Sequence, residues 1–387
     1  MVVWLCHVRV GHRWTFIRKP PIASAIGGFF VFSPVIRLGL RYPLGIQMER
    51  TERNTAVKSD NLSTSVVLAT YNGSRFLRAQ LDSLLSQTRL PDQLLVRDDA
   101  STDDEATWRL LEVYESRFIS RGVQVEMERG FDNVGYRTNF ERLLRKVTTD
   151  VVFLCDQDDV WQPHKIERMM QEFSARSRLG LLFTNARLVD AAGTELGFTL
   201  FDGVGVSGQE LTRIHRGETA DLLLQRTLVT GATMAVRREV LADVLPIPSG
   251  WVHDEWLAFV LALGNRFEID ALDEKLIDYR QHGENAIGMA APTAGNFWTA
   301  NGLRRDSQRS LALRLQRLLH NSNLLQGVEP RWRHELEQRR IHAHHRGHLS
   351  RNPIKRIGAV AREAMSGRYS RYALGLRSIV SDIALLK

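Results

Sequence analysis

The chain has 387 residues, a formal net charge of +8 and two cysteines, Cys6 and Cys155. This length exceeds one typical domain, the mixed composition excludes a disordered or collagen-like chain, and two cysteines exclude a disulfide framework or a structural zinc site. Residues 303–387 carry 18 Lys and Arg against 6 Asp and Glu, residues 1–58 carry 9 against 2, and the middle is net acidic. An acidic body with basic ends argues against a nucleic-acid binder and for ends that touch an anionic membrane surface or a partner.

Residues 1–58 read poorly as a folded domain. The apolar run 22–36 contains Gly27, Gly28 and Pro34 and falls short of the roughly twenty residues needed to span a bilayer. Its basic flanks resemble a signal peptide, yet no clear cleavage site follows, so a membrane anchor stays open. Met48, just before a polar linker, is a second candidate start. Cys155 reads as a small buried apolar residue, which fits a reducing, cytoplasmic setting.

The organised part begins at Thr64. Residues 65–69 read as a buried strand, followed by the turn Thr70-Tyr71-Asn72-Gly73. Phe76, Leu77, Leu81, Leu84 and Leu85 recur at helical spacing, and Pro91 ends that helix. A second strand over 94–96 runs into Asp98-Asp99-Ala100-Ser101-Thr102-Asp103; a helix over 108–118 and a third strand over 123–127 follow. The alternation predicts an α/β domain with a mainly parallel, Rossmann-like sheet and helices on both faces.

The loop Asp132-Asn133-Val134-Gly135-Tyr136 leads into a helix over 138–147, then into Val151-Val152-Phe153-Leu154-Cys155-Asp156-Gln157-Asp158-Asp159. Five apolar residues make a strand buried on both faces, and the carboxylates sit at its C-terminal end, where open α/β sheets bind ligands. Carboxylates at i and i+2 there can hold one hard divalent cation against a diphosphate. The competing reading is an acidic turn before a helix over 165–173 opened by Pro163.

Further strands are predicted over 180–185, 267–272 and 276–279, a turn and strand over 230–236, and a helix over 255–263 after His253-Asp254. Residues 198–216 look irregular, like a mobile loop over a site. From residue 303 the pattern turns helical and basic. Leu311, Leu315, Leu318 and Leu319 share one face among arginines, and residues 354–386 mix Lys355, Arg356, Arg362, Arg368 and Arg371 with apolar residues. Such helices either pack or lie on a membrane, and the charge excess tilts the reading towards a membrane. His342, His344, His345 and His348 read as a solvated basic helix rather than a metal site.

Polar groups that follow parallel strands converge on one edge. Tyr71 can pack on a base, and Asp98 or Asp99 can accept from a base N–H or a ribose hydroxyl; helix capping competes for Asp99 to Asp103. Arg280 can neutralise phosphate and His282 can coordinate a metal or contact the diphosphate.

The ordered blocks V-V-L-A-T-Y-N-G, R-D-D-A-S-T-D, N-V-G, C-D-Q-D-D-V-W-Q-P, T-G-A-T-M-A-V, H-D-E-W and Y-R-Q-H-G-E-N together resemble glycosyltransferase family 2, and within it bacterial rhamnosyltransferases of cell-surface polysaccharide synthesis. The likeness spans about residues 64–290 and neither basic end. It implies a GT-A fold over 64–302, between an extension and linker at 1–63 and a helical basic region at 303–387. It also implies inverting, metal-dependent transfer from a nucleotide sugar, dTDP-L-rhamnose, to a polysaccharide or lipid-linked acceptor at the cytoplasmic membrane face.

Carried over by position, Ala69, Tyr71 and Asp99 contact the nucleoside. Asp156 and Asp158 hold Mg²⁺ or Mn²⁺ and the diphosphate, with Asp159 beside them. Asp254 is the catalytic base, with Glu255 as a rival and helix capping as the plain alternative. A helix N-terminus favours negative charge there. Two rival functions stand: a sugar-phosphate nucleotidyltransferase, whose Gly-rich, Arg-containing signature T-Y-N-G-S-R matches poorly, and a non-catalytic nucleotide-sugar sensor.

Overall fold

A computed structural model describes residues 8–10, 13–15, 62–283, 301–321, 325 and 328–384. The apolar run 22–36 and Met48 lie outside the described residues. The chain divides into two units, Met1–Ala56 and Val57–Lys387. In the first, strands β1 (Val8–Val10) and β2 (Arg13–Thr15) pair antiparallel.

The second unit is built on strands β3 (Thr64–Thr70), β4 (Gln93–Asp98), β5 (Gln124–Arg129), β6 (Val151–Cys155), β7 (Val160–Trp161), β8 (Leu179–Val189), β9 (Glu195–Thr199), β10 (Met234–Arg237) and β11 (Glu268–Arg280). They form one nine-stranded sheet in the order β5-β4-β3-β6-β10-β8-β11-β7, with β9 paired to β8. β5, β4, β3 and β6 run parallel, and β11 runs parallel to β8. β10 enters antiparallel between β6 and β8. The sheet is mainly parallel, as the alternating pattern predicts.

Both faces are covered, which explains the unbroken apolar runs. Along β3, Val66 and Leu68 face one core and Val67 the other; along β6, Val151, Phe153 and Cys155 oppose Val152 and Leu154. The first core is closed by Leu77, Leu81, Tyr114, Ile166, Met169 and Phe173 from helices Ser74–Leu85, Ala106–Ser120 and Lys165–Ala175. The second is closed by Phe140 and Leu143 from helix Tyr136–Leu144 and by Trp256, Leu257 and Val260 from helix His253–Leu263.

Two expectations are corrected here. Residues 267–272 and 276–279 belong to one strand, β11, whose register against β8 shifts around Lys275; the polar bulge Asp273-Glu274-Lys275 looks like a break in sequence. Residues 198–216 are not an irregular loop. They hold the end of β9 and the helices Leu200–Val204 and Gly208–His215, each opened by a capping box, Thr199 with Asp202 and Ser207 with Glu210.

The helical C-terminal region shares the second core. Leu315 and Leu318 of helix Asn301–His320, and Trp332 and Leu336 of helix Pro330–Gly347, pack with Trp251 and Phe259. The first basic amphipathic segment therefore turns its leucines inward, against the membrane reading for that helix. His342 is buried, with Nδ1 2.8 Å from the Glu363 carboxylate, which corrects its solvated reading.

Beyond it, Asp382 accepts from Arg346 Nε at 2.6 Å and from the Tyr369 hydroxyl at 2.7 Å, all three buried. Asp382→Ala strands a buried guanidinium and is expected to cost about 3–5 kcal/mol in urea unfolding. A loss below about 1 kcal/mol, the scale of a surface pair, would contradict that role.

Candidate active site

β3 lies between β4 and β6: the chain winds outward through β4 and β5, then returns to the other side of β3 as β6. That reversal opens a crevice beyond the carboxyl ends of the strands. A cavity of about 560 Å³ sits there, lined by Ala69, Tyr71, Asp99, Asp156, Asp158, Gly231, Asp254 and Glu255 among others. Residues far apart in sequence thus meet in one site.

The acidic side is crowded. Burial, and then the charges of Asp158 and Asp254, push the Asp156 carboxyl up to about 7. Asp159 is buried, accepts the Arg280 backbone N–H at 2.9 Å, and its second oxygen has no hydrogen-bond partner among the described residues. Asp158 Oδ2 lies 2.8 Å from His282 Nε2. Among the described residues no three His, Cys, Asp or Glu side chains already close around a metal.

The donor set nevertheless fits Mg²⁺ or Mn²⁺. Such ions take one or two carboxylates and complete their shell with phosphate oxygens and water, and a cation would relieve the repulsion that raises Asp156. The metal-free native state holds a proton on Asp156 up to about pH 7 that the unfolded chain has already lost. Its contribution to stability therefore falls as pH rises from about 4 to 7. The rise in melting temperature on adding Mn²⁺ is therefore expected to grow across that window; an equal rise at pH 4 and pH 7 would contradict this.

Arg280 does not line the cavity. Its guanidinium donates to the backbone carbonyls of Asp158, Asp190 and Ala191 at 2.8, 3.3 and 3.2 Å, bracing the acidic turn from beneath. This geometry departs from the expected phosphate contact.

Gln157, the middle residue of the acidic triplet, was not singled out by sequence reasoning. Its amide accepts from Tyr71 N–H at 2.8 Å and donates to Tyr71 O at 3.0 Å, tying the β3 turn to the β6 turn. Lys165 was also missed. It is fully buried, with Nζ 3.7 Å from the Trp161 ring centre and 2.8 Å from Ala232 O, and burial pushes it down to about 7 despite the nearby aspartates. A lysine one residue into a helix gives no sequence signal of burial.

Asp99 is held by Arg97 at 2.9 Å and by the N–H groups of Val134 and Gly135 at 3.2 and 2.8 Å. Asp98 accepts from Thr70 at 2.9 Å and from Ser101 N–H at 2.9 Å, a turn-stabilising role. Tyr71 is exposed on the rim.

At the start of helix His253–Leu263, Asp254 accepts from Gly231 N–H at 2.8 Å and from Glu255 N–H at 2.7 Å. Glu255 forms an ion pair with Arg314 of helix Asn301–His320. His253 stacks on Phe140 at 4.2 Å, and among the described residues neither ring nitrogen has a hydrogen-bond partner; burial holds its pKa below the ordinary value. The Tyr279 hydroxyl, pushed up by burial and then by Asp159, Asp156, Asp158 and Asp254, completes the lining.

Residues 65–245 match the family model described as glycosyl transferase family 2. Those residues form a family 2 glycosyltransferase domain. The chain is 27% identical over 245 residues to an uncharacterised glycosyltransferase of Nostoc sp., covering 59% of this chain and 68% of that one. It is 24% identical over 240 residues to the dTDP-rhamnosyl transferase RfbG of Shigella flexneri, covering 57% and 73%. Its fold is GT-A-like. It is similar to S. aureus TarS 1-349, solved in complex with UDP-GlcNAc, with a TM-score of 0.51 and 15% identity over 83% of this chain and 88% of that one.

Proposed function

We propose that this glycosyltransferase moves a sugar, with inversion, from a nucleoside-diphosphate donor to a hydroxyl of a polysaccharide or lipid-linked glycan. The observation that carries the reading is that Asp156, Asp158 and Asp254 line one cavity, with Asp254 near enough for its charge to help raise Asp156. Asp156 and Asp158 suit a diphosphate and its cation, and Asp254 suits an incoming hydroxyl.

Asp254 takes the proton from the acceptor hydroxyl as its oxygen attacks the sugar C1, and the C1–O bond to the diphosphate breaks in one in-line displacement. Gly231 N–H and the helix start fix the carboxylate for that role. Glu255 is the weaker candidate because Arg314 occupies its carboxylate. A Mg²⁺ or Mn²⁺ held by Asp156 and Asp158 would offset charge growing on the leaving diphosphate. His282 orients Asp158 for that task. Asp99 receives the nucleoside at the β4 end and Tyr71 stacks on it from the rim. Residues 64–302 form the catalytic body and residues 303–387 support it, with Arg314 as one link.

The likeness to a dTDP-rhamnosyl transferase favours dTDP-L-rhamnose as donor, which inversion would convert to an α-L-rhamnoside. Incubation with dTDP-, UDP- and GDP-sugars and Mn²⁺, read by release of nucleoside diphosphate and by the anomeric configuration of the product, tests this. Release from dTDP-L-rhamnose with an inverted product is expected. Release from another donor alone would replace the sugar and keep the mechanism, and a retained configuration would overturn Asp254 as base.

A further inference from the structure

The last helices of the chain are built inside out. In helix Pro353–Met365 the buried positions are Arg356, Val360 and Glu363, while Ile354, Ile357, Ala361 and Met365, spaced by three and four, form the outer face. In helix Leu376–Ile383 the buried positions are Ser378, Ser381 and Asp382, while Leu376, Val380 and Ile383 face out. Ile354 is 81% exposed, Met365 80% and Leu376 74%. The two helices pack side by side, and Arg356 Nε donates to Ile383 O at 3.0 Å.

Exposed apolar side chains set singly are ordinary, but two adjacent stripes that exclude polar residues from the solvent side are not. The polar inner faces explain why the pair stays folded in this pose. Arg346, Tyr369 and His342 use Asp382 and Glu363 as internal partners, and a small cluster of Leu349, Val360, Tyr369 and Ala373 with Ile379 against it fills the rest, so Ile354, Met365 and Leu376 are left outside the local core.

The charge around the stripes says what covers them. Residues 351–384 contain seven Lys and Arg against two acids, Glu363 and Asp382. Both acids are buried, whereas Arg351, Lys355, Arg362 and Arg377 are exposed. Among the described residues, none of these four cations forms an ion pair with an acid. An apolar face edged by cations and free of exposed carboxylates matches the boundary of an anionic bilayer, where apolar side chains enter the acyl edge and cations meet headgroups.

We propose that helices Pro353–Met365 and Leu376–Ile383 form a docking face for an anionic membrane surface. The face holds the catalytic body beside the bilayer; no helix among the described residues is long and apolar enough to cross one. The proposal is independent of the donor and of the assignment of Asp254.

The test is sedimentation of the full chain with vesicles of phosphatidylcholine alone or mixed with phosphatidylglycerol. Binding to the anionic vesicles is expected, with little to the neutral ones. The pair Ile354→Glu and Leu376→Glu is expected to weaken that binding by about tenfold or more. The pair Lys355→Glu and Arg377→Glu, which alters only the charged edge, should weaken it by roughly fivefold per cation.

Both pairs change solvent-facing positions, so melting temperature and nucleotide binding should stay as in the wild type. Failure of nucleotide binding with vesicle binding intact would strike the catalytic reading and leave this one standing. Absence of wild-type binding, or variants that bind equally well, would overturn the proposal. So would a wild-type dimer that ignores vesicles and falls to monomer in the Ile354→Glu, Leu376→Glu pair, which would assign the face to a second copy of the chain.

Discussion

Asp254→Asn is expected to lower sugar transfer by about 10²–10⁴-fold while nucleotide binding stays intact. The substitution is nearly isosteric, and the amide oxygen can still accept from Gly231 N–H, so that tie is kept while the contact to the adjacent Glu255 N–H is given up. What disappears is a group able to take a proton. The complementary variant is Gly231→Ala. Its Cβ would fall 2.7 Å from His253 Nε2, against ordinary contact at 3.5 Å with Asp254, so the His253 ring must shift beside Asp254 at the helix start. A displacement of about 1 Å costs on the order of 10²-fold in rate. Measured kcat and donor Kd separate these effects from lost binding. Full activity in Asp254→Asn would move the base elsewhere, although Arg314 already engages Glu255.

Asp158→Asn is expected to act on the metal and diphosphate instead, reducing metal-dependent nucleotide affinity by roughly 10–100-fold or more. It also removes one of the charges that raise Asp156. The metal-free variant should therefore melt higher than the metal-free wild type above pH 7, while losing stabilisation by Mn²⁺ with nucleotide. That opposite pair of shifts is a signature that simple misfolding does not produce. Calorimetry with a chelator, and then with Mn²⁺ and nucleoside diphosphate, reads both. Unchanged metal-dependent affinity would return the triplet Asp156-Gln157-Asp158 to a structural turn.

Much of this site is legible in sequence because it is local. β6 has to be doubly buried, since Val151 to Cys155 offer no polar alternation, and a strand that ends in carboxylates announces itself. The neighbouring parallel strands and the convergence of Ala69, Tyr71, Asp99, Asp156 and Asp254 follow from topology. What the sequence hides depends on distant partners. Strand β7 has two residues and is defined only by β11. Lys165 looks like any exposed helical lysine until Trp161 and Ala232 enclose it. Arg280 reads as a phosphate ligand until the carbonyls of Asp158, Asp190 and Ala191 claim its guanidinium.

The C-terminal region carries the same lesson. Two amphipathic stretches with similar basic composition turn opposite faces to the core. Leu315 and Leu318 find an apolar seat beside Trp251. The second stretch meets Arg346 and His342 instead, which its own Asp382 and Glu363 engage, so those polar residues go inward and Ile354, Met365 and Leu376 outward. Periodicity identifies the faces of a helix, and only the neighbours decide which one is buried.

The most direct test of the central claim is the melting temperature of the full chain with dTDP, UDP or GDP, each with Mn²⁺ and with a chelator, since ligands that bind the native state raise it. The wild type and Asp254→Asn should both be stabilised by nucleotide only when Mn²⁺ is present, and Asp158→Asn should not be. No rise with any nucleotide in the folded wild type, or an equal rise with the chelator, would contradict a metal-assisted nucleotide-sugar site at the end of β6.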